Sequence, residues 1–389
     1  MARPRRWVGT RACCTGGHRC VAISFFPSPA AAADPAVPSV VQDLKPLLPA
    51  AAFRAAPDRL ALVLINLAIL ALGFTMACRL DHWPTAWLPA FLPFAVAMGN
   101  SIIVLLFATH DLLHAHGLRG PFQRRLVGML GLSLLGMPPS LWVAVHNREH
   151  HGHTNGLTDP DRSYLEGQQR TWGKWIQHQF VPSNTVTPFG LLVGMGGAWP
   201  VHNLRTLGAV LLPHRRTCAL PPASFGLSRQ QRWRVALELV AIVAVHLSLI
   251  ALLAPSPLKL VLGYGLPLWI GYGGAMAYIY TNHLLCPLTA INDDPLVNTM
   301  SLLVPPWLDR LHLNFSHHVE HHLFPGLNSD YYPLLRQLLI ARHGERYQLQ
   351  PAGKAWRLLL STPRHYRDSH TLVGWDGEDG TTISANHHS

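Results

Sequence analysis

The chain contains four long apolar stretches, arranged as two closely spaced pairs. Residues 60–78 and 86–109 form the first pair, which the short segment RLDHWPT joins. Residues 235–254 and 260–281 form the second pair, separated only by PSPLK. Because a helix of about 20 apolar residues crosses the roughly 30 Å hydrocarbon core of a bilayer, each stretch is long enough to span it. The pattern predicts four transmembrane helices in two hairpins.

Two further apolar stretches interrupt the long segment between the two pairs. Residues 126–145 are long enough to span, but Pro138 and Pro139 interrupt the hydrogen-bond ladder of a helix, and residues 187–201 are short and rich in glycine. We expect both stretches to be interfacial or re-entrant. The arginines between the second and third spans then share one side of the membrane, which the positive-inside rule makes the cytoplasmic side.

Composition agrees with a membrane protein and excludes several other classes. Hydrophobic residues make up 49% of the 389-residue chain and charged residues only 13%, against roughly 25% charged residues in soluble domains. Basic loops beside the spans explain the net charge of +11, and since no finger motif or aromatic-interleaved basic stretch occurs, we expect no nucleic-acid binding. The six cysteines form no C-x-x-C pair, so neither a zinc ribbon nor a disulfide scaffold is indicated.

Histidine is the residue type that indicates chemistry, because its 24 copies outnumber the 20 aspartates and glutamates. Three clusters lie at the predicted cytoplasmic boundary: HDLLHAH at residues 110–116, HNREHHGH at 146–153 and HHVEHH at 317–322. Histidines three or four residues apart share one helix face, so each cluster can direct two or three ring nitrogens at a common point. So many imidazoles favour a borderline metal such as iron, zinc, copper or nickel, and two ions explain their number most simply.

Other polar residues in and near the spans have more than one interpretation. Asp111, Glu149 and Glu320 lie beside the histidine clusters, where we expect them to accept the second ring N–H of a metal ligand. Glu238 and His246 lie inside the third span. They are either functional groups or hydrogen-bonding groups between helices.

The three clusters carry a resemblance to a known family. HDLLH, HNREHH and HHVEHH resemble the three histidine boxes of the membrane fatty acid desaturases, and NFSHHVEHHLFPGLNSDYYPLL at residues 314–335 is similar to the third-box region of that family over its whole length. The resemblance covers about residues 100–342. It implies a four-span helical fold with a cytosolic cap and a di-iron centre that the box histidines bind.

Carried onto this chain, the resemblance implies eight iron ligands: His110, His114, His146, His150, His151, His318, His321 and His322. It also implies a ninth, His283, at the end of the fourth span with Asn282 beside it; the alternative is an interfacial histidine that reaches the lipid headgroups. Three residues separate His146 from His150 where many desaturases have two, and His317 replaces a common tyrosine. His153 or His317 is therefore an alternative ligand.

The resemblance also implies a reaction, the oxygen-dependent introduction of a double bond into an acyl chain, with two iron ions as cofactor and O2 as co-substrate. The chain has no H-P-G-G haem motif and no G-x-G-x-x-G, so we expect electrons from a separate donor of the ferredoxin or cytochrome b5 type. We expect spans two and four to wall the site for the acyl lipid or acyl-coenzyme A. A hydroxylase or ketolase of fatty acids or carotenoids is the alternative, and a metal transporter is a more distant one.

The expected fold is an all-α integral membrane protein whose cytosolic helical cap holds a histidine-rich di-metal site. We divide the chain into an N-terminal extension (1–50), expected to be poorly ordered, a membrane desaturase domain (51–345) and a C-terminal tail (346–389). The active site is expected to face the cytoplasm, at the plasma (inner) membrane if the source is bacterial. The length of the acyl chain, the position of the double bond and the acyl carrier stay open.

Overall fold

The chain is mostly helical in the computed structural model. The model describes residues 37–114, 117–118, 120–156, 159–161, 165–166, 175, 178–179, 181–212, 226–253, 256–289, 294–374, 377 and 380–383. The helices are α1 Val37–Leu44, α2 Arg59–Ala77, α3 Leu92–His114, α4 Gly120–Leu132, α5 Pro139–Trp142, α6 Pro188–Leu211, α7 Arg229–Leu253, α8 Pro257–Ile279, α9 Pro295–Asn298, α10 Pro306–Leu311, α11 His318–Leu323, α12 Tyr332–His343 and α13 Ala352–Ser361. The strands are β1 Leu165–Glu166, β2 Ser301–Leu303, β3 Leu349–Pro351, β4 His365–Asp368, β5 Thr371–Val373 and β6 Thr381–Thr382.

Four helices in the described part of the chain are long and apolar enough to cross a membrane, as the sequence pattern predicts. They are Arg59–Ala77, Thr85–His114, Arg229–Leu253 and Pro257–Ile279. The second begins with a 3-10 stretch, Thr85–Phe91, and continues to His114, five residues beyond the predicted end. That extension matters because it carries the first histidine cluster on the end of the helix.

Helix α3 is the centre of the helical packing. Its residues are buried along most of their length, between α2 on one side and α8 on the other. Glycines allow α3 and α8 to approach closely, since a Cβ atom added to Gly99 would lie 2.5 Å from Ile270, and one added to Gly271 would lie 2.7 Å from Ile102. This packing fixes the position of the histidines at the end of α3.

The stretch with Pro138 and Pro139 is sharply bent, as its sequence predicts. The two helical parts, Gly120–Leu135 and Pro139–His150, meet at 96°. Helix α7 contacts both sides of the bend through Glu238 and His246. His246 contacts the carbonyl of Ser133 at 2.9 Å, and Glu238 accepts hydrogen bonds from the backbone N and Oγ of Ser140 at 2.8 and 2.7 Å. Of the two interpretations of these intramembrane groups, the structure gives the hydrogen-bonding one.

Helix α6 is longer than the short interfacial stretch expected at residues 187–201. It begins with a hydrogen bond from the backbone N of Gly190 to the Thr187 side chain and continues for 24 residues. Trp199 and Asn203 both donate to the carbonyl of Leu135, at 2.7 and 2.8 Å. Because the two side chains lie one turn apart, they fix one face of α6 against the bend.

Parts of both terminal segments pack against the rest of the chain. Residues 1–36 lie outside the described residues, but Val40 and Leu44 of α1 are buried against Val319 and Leu335, within the stretch expected to be poorly ordered. The expected C-terminal tail contains α13 and strands β3–β6. In it, Tyr366 is buried and donates a hydrogen bond to the carbonyl of Cys286. Apolar residues in both segments explain this packing, since burying them stabilises a folded arrangement.

Two small sheets correct the expectation of a purely α-helical chain. The order of the larger sheet is β1-β4-β5-β6, in which β1 pairs with β4 in parallel and the other pairs are antiparallel. In the smaller sheet β2 pairs in parallel with β3, with Ser301 opposite Leu349. Strand β2 lies directly before α10 and α11 in the chain, whereas β3 lies in the expected C-terminal tail. Their pairing therefore links the C-terminal segment to the region of the third histidine cluster.

Candidate metal centre

Four segments bring nine histidines together at the end of α3. His110 and His114 come from the last turns of α3, and the third cluster forms the short helix α11. The second cluster lies on a π-helical stretch, Val143–His150, that continues α5, and His283 lies in the turn after α8. These are the nine residues that the sequence analysis selects as ligands: His110, His114, His146, His150, His151, His283, His318, His321 and His322.

Eight of these histidines form two groups, each with the geometry of a metal site. The first group is His110, His114, His146 and His321, and the second is His150, His283, His318 and His322. Within each group, one ring nitrogen per residue lies within 4.8 Å of the others. All members of the second group are buried.

His151 joins the first group through its contact with His321. The Nε2 atoms of the two rings are 3.0 Å apart, and the same distance separates the Nε2 atoms of His110 and His146. The His151 ring also lies 4.5 Å from the ring of His322 in the second group. His151 is thus the histidine closest to both groups by these contacts.

The π-helical winding explains how one cluster serves both groups. The backbone N of His151 donates to the carbonyl of His146 at 3.1 Å, the five-residue hydrogen bond of a π-helix. This wider turn places His146 and His151 beside the first group while His150 points to the second. A regular α-helix would place His146 and His150 on the same face, as the sequence analysis assumed.

The residues present fit two metal ions. Burial lowers the pKa of His283 to about 4 and the pKa values of His318 and His322 well below the ordinary value, so these rings are neutral and have a free lone pair. The Nε2 atoms of His283 and His318 are 3.2 Å apart. Two imidazole nitrogens, each about 2.1 Å from one ion at a right angle, would be roughly 3.0 Å apart.

Unpaired ring nitrogens in the two groups support the same conclusion. Nε2 of His114 and Nε2 of His322 are buried and have no hydrogen-bond partner among the described residues. A buried polar atom without a partner is costly and requires an explanation. A bound ion would supply that partner in both groups, and an all-imidazole donor set suits iron, zinc, copper or nickel.

The ring orientations are fixed by residues that the sequence analysis missed. His150 Nδ1 contacts the carboxylate of Asp159 at 2.9 and 3.0 Å, and His283 Nδ1 donates to the carbonyl of Asn298 at 2.7 Å. Further contacts of the same kind join His322 to Thr154, His321 to Tyr332 and His146 to Asp161, at 3.2, 3.1 and 3.5 Å. The segment LTDPDR follows the second cluster directly and contains Asp159 and Asp161. Two aspartates so close to the cluster in an acid-poor chain were the sequence signal for this role.

The carboxylates chosen from sequence do not take this role among the described contacts. Asp111 accepts from Arg59 at 2.9 Å and from Ser329, and its nearest approach to His110 Nδ1 is 3.7 Å, too long for a hydrogen bond. Glu149 accepts from Arg148 at 2.7 Å. Proximity in sequence placed both beside ligands, but their side chains point to other partners.

The third carboxylate and the two alternative ligands also lie elsewhere. Glu320 is fully buried and contacts Nδ1 of His317 at 2.9 Å, so it orients a histidine outside both groups. His153 has a side chain 38% exposed and contacts the carbonyl of Glu149. Neither His153 nor His317 therefore belongs to the two groups.

A cavity opens directly onto the centre between α3, α6 and α8. Histidines of both groups line it, together with Asn282: His110, His146, His150, His283 and His318. Its lining also includes the polar side chains of Asp161, His202 and Arg205 and many apolar ones, among them Leu106, Met137, Ala198, Trp199 and Met276. Helices α3 and α8 are the spans expected to wall the substrate site, and α6 adds a third wall.

The comparison with protein families agrees with this geometry. The sequence model of the fatty acid desaturase family matches residues 85–351, more than half of the chain. The chain belongs to the fatty acid desaturase family. None of the curated proteins compared with the chain matches it. All nine histidines of this desaturase lie within the matched region, and membership of the family indicates a membrane oxidoreductase with a desaturase-type function.

Proposed function

We propose that this desaturase introduces a double bond into an acyl chain, with two iron ions as cofactor and O2 as co-substrate. The observation that supports this most is the cavity, because apolar side chains and histidines from both groups line the same space. An unbranched hydrocarbon chain matches the apolar part. Bound there, it would lie with its methylenes beside the metal groups.

The two ions would be held by the two histidine groups, with His151 completing the first. When bound, iron supplies the activation of dioxygen, which no side chain can perform alone. The overall reaction converts –CH2–CH2–, O2, two electrons and two protons into –CH=CH– and two molecules of water. The chain's own residues hold the ring orientations.

The electrons would come from a separate protein of the ferredoxin or cytochrome b5 type. The histidine centre lies at the ends of α3 and α8, and the arginines of the loops around it favour the cytoplasmic side. The proposal therefore places the active site towards the cytoplasm, at the inner membrane if the source is bacterial. The acyl group is carried either on a membrane lipid or on coenzyme A.

The test is a fatty acid profile of aerobic cells that express the chain together with a ferredoxin and its reductase. Gas chromatography with mass spectrometry, after derivatisation of double bonds, should show an unsaturated acid absent from control cells. His321→Ala should remove the product, because it breaks the first group, whereas His153→Ala should keep it, because that ring lies outside both groups. A hydroxylated product instead would replace the proposal by the hydroxylase alternative, and equal effects of the two substitutions would contradict the assigned centre.

A further inference from the structure

One carboxylate connects the wall of the cavity to the first histidine group. Asp161 Oδ2 lies 3.5 Å from Nδ1 of His146, and its other oxygen, Oδ1, lies 3.0 Å from Nε2 of His202 on α6. His202 lines the cavity, and its side chain is 27% exposed. The three residues form a chain that begins at the surface where a substrate would lie and ends at a metal ligand.

His146 depends on this contact for its orientation. Its Nε2 faces His110 at 3.0 Å, so Nδ1 is the nitrogen left to fix the ring from the other side. Trp142 stacks on the ring, with centroids 4.8 Å apart and planes at 27°, which limits tilting but allows rotation within the plane. At 3.5 Å the bond to Asp161 is at the long limit for a hydrogen bond, so the position of that carboxylate controls its strength.

The second group has a more rigid arrangement. Asp159, which contacts His150, also accepts hydrogen bonds from the backbone N of Asn155 and of Asp161, at 2.7 and 2.9 Å. The carboxylate of Asp161 has no such backbone donor among the described contacts, and its partners there are the two histidine side chains. His202 is therefore the group that keeps this carboxylate directed at His146.

The position of His202 is in turn fixed by α6. Trp199 and Asn203, one turn before it and directly after it, both donate to the carbonyl of Leu135. The helix backbone thus holds the His202 ring at the boundary between the cavity and Asp161. A molecule that packs against this side of the cavity would contact the His202 ring, which also contacts Asp161 next to the first histidine group.

We propose that His202 is a positioning residue that holds Asp161 against His146 and so couples occupancy of the cavity to the first histidine group. The coupling to an acyl chain rests on the proposed function, but the orientation of His146 does not. Residues that orient a metal-bound histidine typically contribute about 10- to 100-fold to metal affinity. His202 acts one step further out, so the lower value is expected.

The test uses the purified full chain in lipid nanodiscs, with Co²⁺ as the metal probe and stearic acid as the cavity probe. The wild-type chain should bind two Co²⁺ ions, and stearic acid should change the visible absorption of the bound Co²⁺. His202→Ala should lower the affinity for one of the two Co²⁺ ions by about 10-fold and remove the change in absorption caused by stearic acid. His202→Gln, whose amide can still donate to Asp161, should restore most of both properties.

A matched control is Leu204→Ala, which changes an exposed residue of α6 outside the cavity lining and should leave both the Co²⁺ affinity and the response to stearic acid unchanged. Circular dichroism and gel filtration establish that each variant is folded. The inference would be overturned if His202→Ala bound Co²⁺ with the wild-type affinity and spectrum. It would also be overturned if the Ala and Gln variants lost the same Co²⁺ affinity, or if stearic acid did not change the spectrum of the wild-type chain. If these metal effects appear but cells form no unsaturated product, the positioning role stands and the proposed function fails.

Discussion

Glu320 offers the sharpest test of how the third histidine cluster is held in place. Its carboxylate is fully buried and accepts hydrogen bonds from His317, Arg336, Tyr347 and Ser301. Burial alone would raise the pKa of Glu320, but the hydrogen bond from His317 and the charge of Arg336 outweigh it and lower the pKa to about 2. The group is therefore a buried carboxylate ion on the side of α11 away from the metal groups.

Removing the charge of Glu320 should lower the stability of the fold, because its buried partner Arg336 would remain charged. Glu320→Leu would leave the Arg336 guanidinium buried without its carboxylate, and breaking such a pair costs roughly 3–5 kcal/mol. A change of 1 kcal/mol in the free energy of unfolding moves the thermal midpoint by about 2–4 °C in chains of 150–250 residues and by less in longer chains. We expect a decrease of about 5–10 °C in the thermal midpoint.

The assay is thermal unfolding of purified variants in one detergent, followed by tryptophan fluorescence. The double variant Glu320→Leu with Arg336→Leu should recover part of the loss, because the unpaired charge is gone. Asp43→Asn, in the more exposed pair with Arg342, is the control and should cost at most about 1 kcal/mol. If Glu320→Leu costs no more than Asp43→Asn, the buried carboxylate does not stabilise the fold and the reasoning fails.

Three further substitutions address the second histidine group, the packing of α3 and the cavity. Asp159→Ala should lower the affinity for one metal ion by about 10- to 100-fold in a Co²⁺ titration, because the contact with His150 is lost. Gly131→Ala should destabilise the chain by about 1–3 kcal/mol in thermal unfolding, since the new Cβ would overlap Thr109, whereas Gly353→Ala meets open space and should not. Ala198→Phe should fill the apolar part of the cavity and shift products to shorter acyl chains in the lipid profile, with unchanged metal content.

Each of these has an outcome that would contradict it. Unchanged Co²⁺ affinity in the Asp159 variant would show that the carboxylate does not support the ligand. Equal stability of the two glycine variants would mean that α4 does not approach α3 as closely as the structure indicates. An unaltered chain-length distribution in the Ala198 variant would separate the cavity from the acyl chain.

Local spacing predicted that three histidine clusters come together, because their positions repeat along single helices, and the family resemblance selected the nine ligands, His283 included. It did not predict how they divide between two groups. His146 and His150 have the spacing of one α-helical face, but the π-helical turn separates them, and such a turn has no simple spacing pattern. The division depends on backbone winding, which tertiary packing selects.

The residues that orient the rings were missed for a related reason. Asp111 and Glu320 are adjacent in sequence to ligands, yet neighbouring helix residues point in different directions. Asp159 contacts its ring from a loop and Asn298 from the last residue of α9, nine and fifteen residues from their partners. Apolar content predicted the four spans, while the packing of the described parts of the terminal segments depends on tertiary contacts that no local pattern contains.

The same two helical segments serve both metal groups, and this sharing has a consequence for assembly. The π-helical stretch contributes His146 to one group and His150 to the other, and α11 likewise contributes His321 to one and His318 to the other. An ion bound in either group would contact both segments and so restrain the ligands of the other group as well. Co²⁺ binding to the two groups should therefore be coupled, and a titration of the wild-type chain should show that binding in one group strengthens binding in the other.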